Sequence, residues 1–371
     1  MKTSKNSPSN TFIFKQSGLI SKNRAVLSAM TNKQSLPDGT ISQQEIAWLT
    51  HRARGGFGII TTAAAHVSKH GQGWEGELGV FDDKHINQLK VLTKSIHKYD
   101  SLVFAQVFHG GMRSPQSITG LQPISASIVP SEVSDTNFSY QASESDINKI
   151  IHEFTHAAIR CYESGFDGIE IHGAHGYLIS QFLATEINQR ADVWGGGINN
   201  RSKLLIDICR SIQKNVPNSF VVGVRISPEI PELGIALNDS INLVSILKDE
   251  GLDFIHISCW DAFSRSKAYP NNRKTLTEWF TENINGLPPI ISTGSVWSTS
   301  DAQNLMNQGA DLIGVGRVAI AHPNWANNLS DNNYSPQRPP FSIEHLQSSS
   351  LSDVFIEYMK NWTGFVKNTN N

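Results

Sequence analysis

Eight short β-rich runs, separated by helical patterns, constrain the fold of this chain more than any other feature. They are AVLSAM (25–30), FGIITTAAA (57–65), LVFAQVF (102–108), FDGIEIHG (166–173), FVVGVRIS (220–227), LDFIHIS (252–258), PPIISTGS (288–295) and DLIGVGR (311–317). Most are nearly continuous apolar stretches, the pattern of strands buried on both faces of a parallel sheet. In 42–56, Ile46, Leu49 and Ala53 recur at helical spacing and glycines end the segment. In 145–165, Ser145 or Asp146 is the candidate N-cap. There Ile147, Ile150, Ile151, Phe154, Ala157 and Ala158 form the apolar face, and Gly165 lies just past the end. Segments 200–215, 238–251 and 299–309 repeat the pattern. Strand and helix alternating eight times predicts an α/β fold, a (β/α)8 TIM barrel. A doubly wound open sheet is the alternative, and no G-x-G-x-x-G follows the first strand to favour it.

The pattern assigns residues 1–330 to one barrel, with a Pro/Ser-containing excursion at 110–143 after the third strand. Loops of that length in a compact domain are usually lids or binding loops. Residues 331–371 form a C-terminal extension, packed on the barrel or at a subunit interface. Within it, LSDVFIEYMKNWTGF places Val354, Phe355, Tyr358, Met359 and Trp362 on one helical face.

Composition excludes several function classes. A hydrophobic fraction of 39% with 17% charged residues supports a sizeable core. A net charge of −2 without a basic stripe argues against nucleic acid as partner. Cys161, Cys209 and Cys259 lack C-x-x-C spacing, so no disulfide framework, zinc ribbon or cysteine-ligated cluster is expected. The N-terminal MKTSKNSPSNTFIFKQS is polar without a long apolar region, and no window approaches a membrane span. The expectation is a cytoplasmic protein acting on a small molecule, with a homo-oligomer left open.

In a barrel of this kind, chemistry sits at the C-terminal ends of the strands. Thr31 follows the first run, Gln106 and His109 end the third, and His172 and His175 follow the fourth. Arg225 lies in the fifth, Trp260 follows the sixth, and STGS (292–295) and GVGR (314–317) end the last two. Gly294, Gly314 and Gly316 allow close backbone approach to a phosphate, and Arg317 adds a charged fork. Ordinary strand-end glycines with a surface arginine are the alternative. A buried Arg225 needs an anionic or strongly accepting partner, such as the N1/O2 edge of a flavin.

The segment EIHGAHGYLISQFL (170–183) concentrates His172, His175 and Tyr177. H-x-x-H with His109 as a third ligand would suit zinc, and a metal-dependent hydrolase or lyase would follow. Satisfied core histidines are a second possibility. The favoured reading is a pair of hydrogen-bond donors for a carbonyl oxygen, with Tyr177 as a nearby proton source.

Taken together, these motifs resemble the Old Yellow Enzyme family of FMN-dependent NAD(P)H:flavin oxidoreductases, over about Leu19 to Trp325. The resemblance rests on GFDGIEIHGAHGYLISQFL (165–183), NQRADVWGGGINNR (188–201), NRAVLSAMT (23–31), FAQVFHGG (104–111), GVRISP (223–228) and ADLIGVGRVAIAHPNW (310–325). It implies an FMN cofactor, NADH or NADPH as reductant, and ping-pong reduction of enones and related alkenes, with quinones and nitro compounds also candidates. It implies that Thr31 bonds flavin O4 and that Ala63 and Gln106 lie against the pyrimidine side. Arg225 would sit near N1/O2, and Gly294, Gly316 and Arg317 would grip the phosphate. Ala29 joins this set at a place where proline is common. His172 and His175 would hold the substrate oxygen and Tyr177 would protonate carbon. The chain departs from the family pattern at Lys33, where one subgroup has tyrosine, at HGGMR for HAGR, and at Ala191, Val193 and Trp194.

Overall fold

Each apolar run pairs in parallel with the next, and the last returns to the first. The computed structural model describes residues 7–367. The rest of the polar N-terminus, 1–6, and residues 368–371 of the extension lie outside the described residues. The strands are β1 (Ala25–Leu27), β2 (Ile59–His66), β3 (Leu102–Phe108), β4 (Gly168–Gly173), β5 (Val221–Ile226), β6 (Phe254–Ser258), β7 (Ile290–Thr293) and β8 (Leu312–Val315). Val26 pairs with Ile59 on one side of β1 and Ile313 with Ala25 on the other, so the sheet closes into a barrel. A bulge interrupts the β2–β3 register between Thr61 and Ala64 and places Ala63 at the irregularity.

Helices occupy the outside: α1 (Gln43–Arg54), α2 (Ile86–His97), α3 (Glu144–Glu163), α4 (Lys203–Asn215), α5 (Leu237–Leu247), α6 (Leu276–Thr281), α7 (Thr299–Asn307) and α8 (Arg317–Ala321). The N-cap expected at Ser145 or Asp146 is Ser143 instead. Its hydroxyl accepts the Asp146 N–H at 3.2 Å, and the Asp146 carboxylate accepts the Ser143 N–H at 2.9 Å. Asp146 therefore belongs to the capping box three positions in, and the helix starts at least two residues earlier than the expected cap implies. α6 and α8 are too short to reveal a helical period.

Two apolar clusters divide the core. The larger lies between strands and helices. The smaller fills the lower barrel with Val26, Ile59, Phe104, Val221, Phe254, Ile291 and Leu312. A hairpin of Phe12–Ile13 and Ile20–Ser21 plugs the N-terminal end below them. Phe14 is fully buried there, edge-on to Phe104 at 5.8 Å. Burying one such ring stabilises by about 1.5–3 kcal/mol.

The excursion carries its own structure, with a turn at Gly111–Arg113, a helix at Gln116–Thr119, and Ile124–Ser125 paired with Tyr140–Gln141. The extension contributes α9 (Ile343–Ser348) and α10 (Asp353–Met359). Phe355 packs edge-on to Trp48 of α1 at 5.3 Å, and Ile356 and Met359 share its buried face. The expected face needs correction: Val354 is 56% exposed, and Trp362 lies past the end of the helix. Docking on α1 selects the face, which helical spacing alone leaves ambiguous. Among the described residues, no helix is long and apolar enough to cross a membrane.

Candidate active site

Inward-facing side chains change character along the barrel axis. Two positions beyond the lower apolar layer stand Ser28, Thr61, Gln106, Gly223, His256, Thr293 and Gly314. Glu170 reaches the same layer from β4, opposite Gln106. The glycines make room: a Cβ on Gly223 would stand 2.3 Å from the Phe254 ring. Gln106 donates Nε2–H to Glu170 Oε1 at 2.6 Å, and His256 Nδ1 donates to Glu170 Oε2 at 2.6 Å. His256 Nε2 then accepts from the Thr293 hydroxyl, which meets Ser28 Oγ at 3.0 Å.

Arg225 completes this layer. It is buried, and its Nη1 donates to the Ala29 carbonyl at 3.3 Å and lies 4.0 Å from Glu170 Oε1. Its Nε has no hydrogen-bond partner among the described residues. Burial by itself would raise the Glu170 pKa, but His256, Arg225 and Gln106 outweigh it and hold the carboxyl below its usual range. His256 is shifted down because burial outweighs the Glu170 charge. The consistent assignment is an ionised Glu170 countered by Arg225, with His256 neutral and donating from Nδ1.

Above this layer, the segment after β4 turns sharply. His175 has φ +63° and Gly176 φ +76°. A β-substituted residue in the left-handed region is held there by its surroundings. The Ser227 hydroxyl accepts the His175 N–H at 3.1 Å, and the Ser258 hydroxyl meets His175 Nε2 at 2.8 Å. His172 Nδ1 accepts the Ala174 N–H at 3.2 Å, so its ring proton resides on Nε2. The two imidazoles stand 5.0 Å apart, and Tyr177 lies 5.2 Å from His172. Burial, then neighbouring cationic groups, hold both histidines well below the ordinary imidazole range. The His175 ring is surrounded by protein atoms yet open toward the mouth. Burial raises the Tyr177 phenol, with Arg113 opposing. At neutral pH the cluster is two neutral donors and one protonated phenol.

His109 is not brought to this pair. It packs at 5.8 Å from His70, and its Nδ1 accepts the Gly111 N–H at 3.1 Å. Among the described residues, no group of three or more His, Cys, Asp or Glu is placed to hold a metal.

On the opposite rim, the loop after β7 passes close to the loop after β6. A Cβ on Gly294 would meet the Ala262 nitrogen and the Cys259 carbonyl, each at 2.7 Å. Arg317 donates to Ser295 Oγ at 3.2 Å and lies over Trp260 at 5.2 Å. At Gly316 an added Cβ would meet only Met30 Sδ at 3.5 Å, so its missing side chain leaves space open in front of the backbone.

Thr31 is half-buried beside the Tyr358 hydroxyl of α10, whose pKa it holds down against the rise that burial causes. Ala63 and Gln106 are buried on β2 and β3. The structure thus gathers the sequence candidates around the C-terminal end of the barrel, with the His109 ring packed on His70 rather than on the histidine pair. It adds Glu170, His256, Ser258, Thr293, Arg113 and Tyr358, which the sequence reading assigned no role. The two-residue alternation of FIHIS places His256 on the inward face with Phe254 and Ser258, so it was legible. No sequence signal brings Tyr358 to this rim.

The partnerless Arg225 Nε, the opening at Gly316 and the Ser295–Arg317 pair suit a flat group with an acceptor edge and an anionic tail. FMN has that form. Arg225 and Gln106 would face its pyrimidine edge, Thr31 its O4, and the Gly294–Arg317 rim its phosphate.

A family model for the NADH:flavin oxidoreductase / NADH oxidase family matches residues 14–335. A probable NADH-dependent flavin oxidoreductase of Bacillus subtilis is 34% identical over 85% of each chain. An NADPH dehydrogenase of Clostridium acetobutylicum is 31% identical over 81% of this chain and 88% of its own. An NADH:acrylate oxidoreductase of Vibrio harveyi is 33% identical over 93% of this chain, but the match spans only 35% of that protein. Among solved structures, an old yellow enzyme homologue from Zymomonas mobilis superposes with TM-score 0.79 at 23% identity, covering 92% of this chain and 96% of the other.

Proposed function

Because the chain belongs to the NADH:flavin oxidoreductase / NADH oxidase family, it is an NAD(P)H-dependent enzyme that uses FMN, and we propose that it reduces small electrophilic alkenes. The observation that carries this reading is the pair of imidazoles 5.0 Å apart with Tyr177 5.2 Å from His172. Bound FMN supplies hydride transfer from the nicotinamide to the alkene β-carbon. The protein binds, orients and polarises. His172 donates Nε2–H to the substrate's carbonyl or nitro oxygen. His175, with Ser258 donating into its Nε2, presents Nδ1–H to the same oxygen. Two fixed neutral donors stabilise the enolate charge without first losing a proton to it. Tyr177 then delivers its proton to the α-carbon. Nicotinamide and alkene use one mouth in turn, a ping-pong order.

The purified protein is expected to be yellow. Anaerobic NADH or NADPH should bleach it, and 2-cyclohexenone should restore the colour. A colourless protein that takes up no added FMN sinks the reading. Bleaching without reoxidation by any enone, nitro compound or quinone would leave a flavin carrier rather than an alkene reductase.

Tyr177→Phe removes the carbon acid and keeps the ring packing against Phe108, 4.5 Å away. Its enone reoxidation rate is expected to fall by about 10²-fold or more. Quinone reoxidation, which protonates no carbon, should change by only about a few-fold on the same argument. Stopped-flow measurement of the two oxidants side by side checks this, and equal losses would remove Tyr177 from the proton step.

A further inference from the structure

Two cations at the mouth of the barrel have no acidic partner among the described residues. Arg113, from the turn after β3, lies over the Tyr177 ring at 4.5 Å and donates Nη1–H to the His175 carbonyl at 2.8 Å. Lys33, from the loop after β1, lies over the Tyr358 ring at 5.5 Å. Tyr358 acts electrostatically on Tyr177 and lies beside Thr31. Two cation-capped tyrosines therefore flank the approach to the histidine pair.

Among the described residues, neither Arg113 nor Lys33 forms an ion pair with a carboxylate. Arg160, Arg190, Arg201 and Arg210 each do. Glu77, the buried acid that acts on Tyr177, is pushed well up by burial, and its carboxyl is turned to the Gly73 N–H at 2.6 Å rather than to either cation. The chain's net charge of −2 means that these cations are not part of a general basic surface. Both are exposed, so their charge reaches the mouth. Stacking fixes them by contact with aromatic faces, leaving guanidinium and ammonium N–H groups free. A planar guanidinium matches a carboxylate in a bidentate manner.

We propose that the preferred oxidant is an electrophilic alkene bearing a carboxylate across the double bond from its activating carbonyl or nitro group, with Arg113 and Lys33 gripping that carboxylate. The inference rests on the alkene-reductase reading above. His172 and His175 take one oxygen of the substrate, and the cation pair takes the anionic end.

The test uses the NAD(P)H-reduced holoenzyme with (E)-4-oxo-2-pentenoate and its methyl ester. The ester is intrinsically the better electrophile, so preference for the acid must come from the protein. The acid is expected to be favoured in kcat/KM by about tenfold or more at low salt, falling as salt is raised. Lys33→Gln and Arg113→Gln should each move the acid-to-ester ratio toward one. Lys33→Gln keeps the test valid if Arg113→Gln disturbs the His175 turn. Binding of the unreactive 4-oxopentanoate to oxidised holoenzyme, followed by flavin difference absorbance, should weaken in parallel.

A wild-type ratio at or below one overturns the proposal, as does a ratio unaffected by both substitutions. An intact ratio with a raised KM for NADH or NADPH would assign the cations to cofactor phosphate and overturn it equally. If 2-cyclohexenone and the ester are reduced but the acid is not preferred, only this inference fails. If no alkene reoxidises the enzyme, the underlying reading fails.

Discussion

His172→Ala and His175→Ala are each expected to slow reoxidation of the reduced enzyme by enones about 10²- to 10³-fold. That is the usual cost of deleting one preorganised donor at a developing oxyanion, about 3–4 kcal/mol. Both rings are locked before substrate arrives. His172 is fixed by the Ala174 N–H at 3.2 Å and His175 by Ser258 at 2.8 Å. Their low basicity is part of the design. A protonated imidazole would bind ground-state anions, whereas a neutral one matches an oxygen whose charge appears only as hydride arrives. Reduction of the enzyme by NAD(P)H should suffer less, because no oxyanion forms in that half-reaction. Anaerobic stopped-flow measurement of the two half-reactions separates these effects. Equal losses in both halves, or unchanged enone reoxidation in both variants, would remove the pair from the proposed role.

Glu170→Ala is expected to destabilise the protein by about 3–5 kcal/mol at neutral pH. It removes the acceptor of Gln106 and His256 and the counter-charge of Arg225 in one step. Glu170 is 1% exposed, so little water reaches the orphaned groups. An exposed control, Glu163→Gln, should stay within about 0.5 kcal/mol. Urea denaturation with and without added FMN measures both, since a bound ligand stabilises the native state and masks part of the loss. The pH dependence has a definite sign. The folded-state pKa of Glu170 lies below its ordinary value, through His256, Arg225 and Gln106 acting against burial. Its stabilising contribution is therefore complete above the ordinary carboxylate range. It is lost as pH falls through the depressed folded value. The gap between wild type and Glu170→Ala should narrow in acid. A gap constant across that range would mean that Glu170 is not ionised in the folded protein.

Much of the scaffold was legible because a buried parallel strand and an amphipathic helix each leave a local signature. Each of the eight apolar runs holds a barrel strand, one of which, Ile59–His66, extends a residue past its run. The errors fall where two local solutions were nearly equivalent. Ser143 and Ser145 lie two residues apart, and only the reciprocal bonds with Asp146 distinguish the cap. In α10, Val354 and Phe355 were both candidates for the buried face, and contact with Trp48 buries Phe355.

The candidate site was legible in its residue types and in the strand ends that carry them. Its chemistry was not. The sequence places His172 and His175 after β4, but their tautomers and neutrality depend on Ala174, Ser258 and the surrounding burial. The sequence shows an arginine inside a strand, while the partnerless Nε and the Glu170–His256 contact exist only once β4, β5 and β6 lie side by side. Tyr358 reaches Thr31 from 327 positions away along the chain, by docking of the extension. Sequence by itself determined the barrel, since hydrophobic periodicity acts over a few residues. Only tertiary structure decided protonation, donor direction and the cation-lined mouth, because these depend on electrostatics and packing between segments that chain order keeps apart.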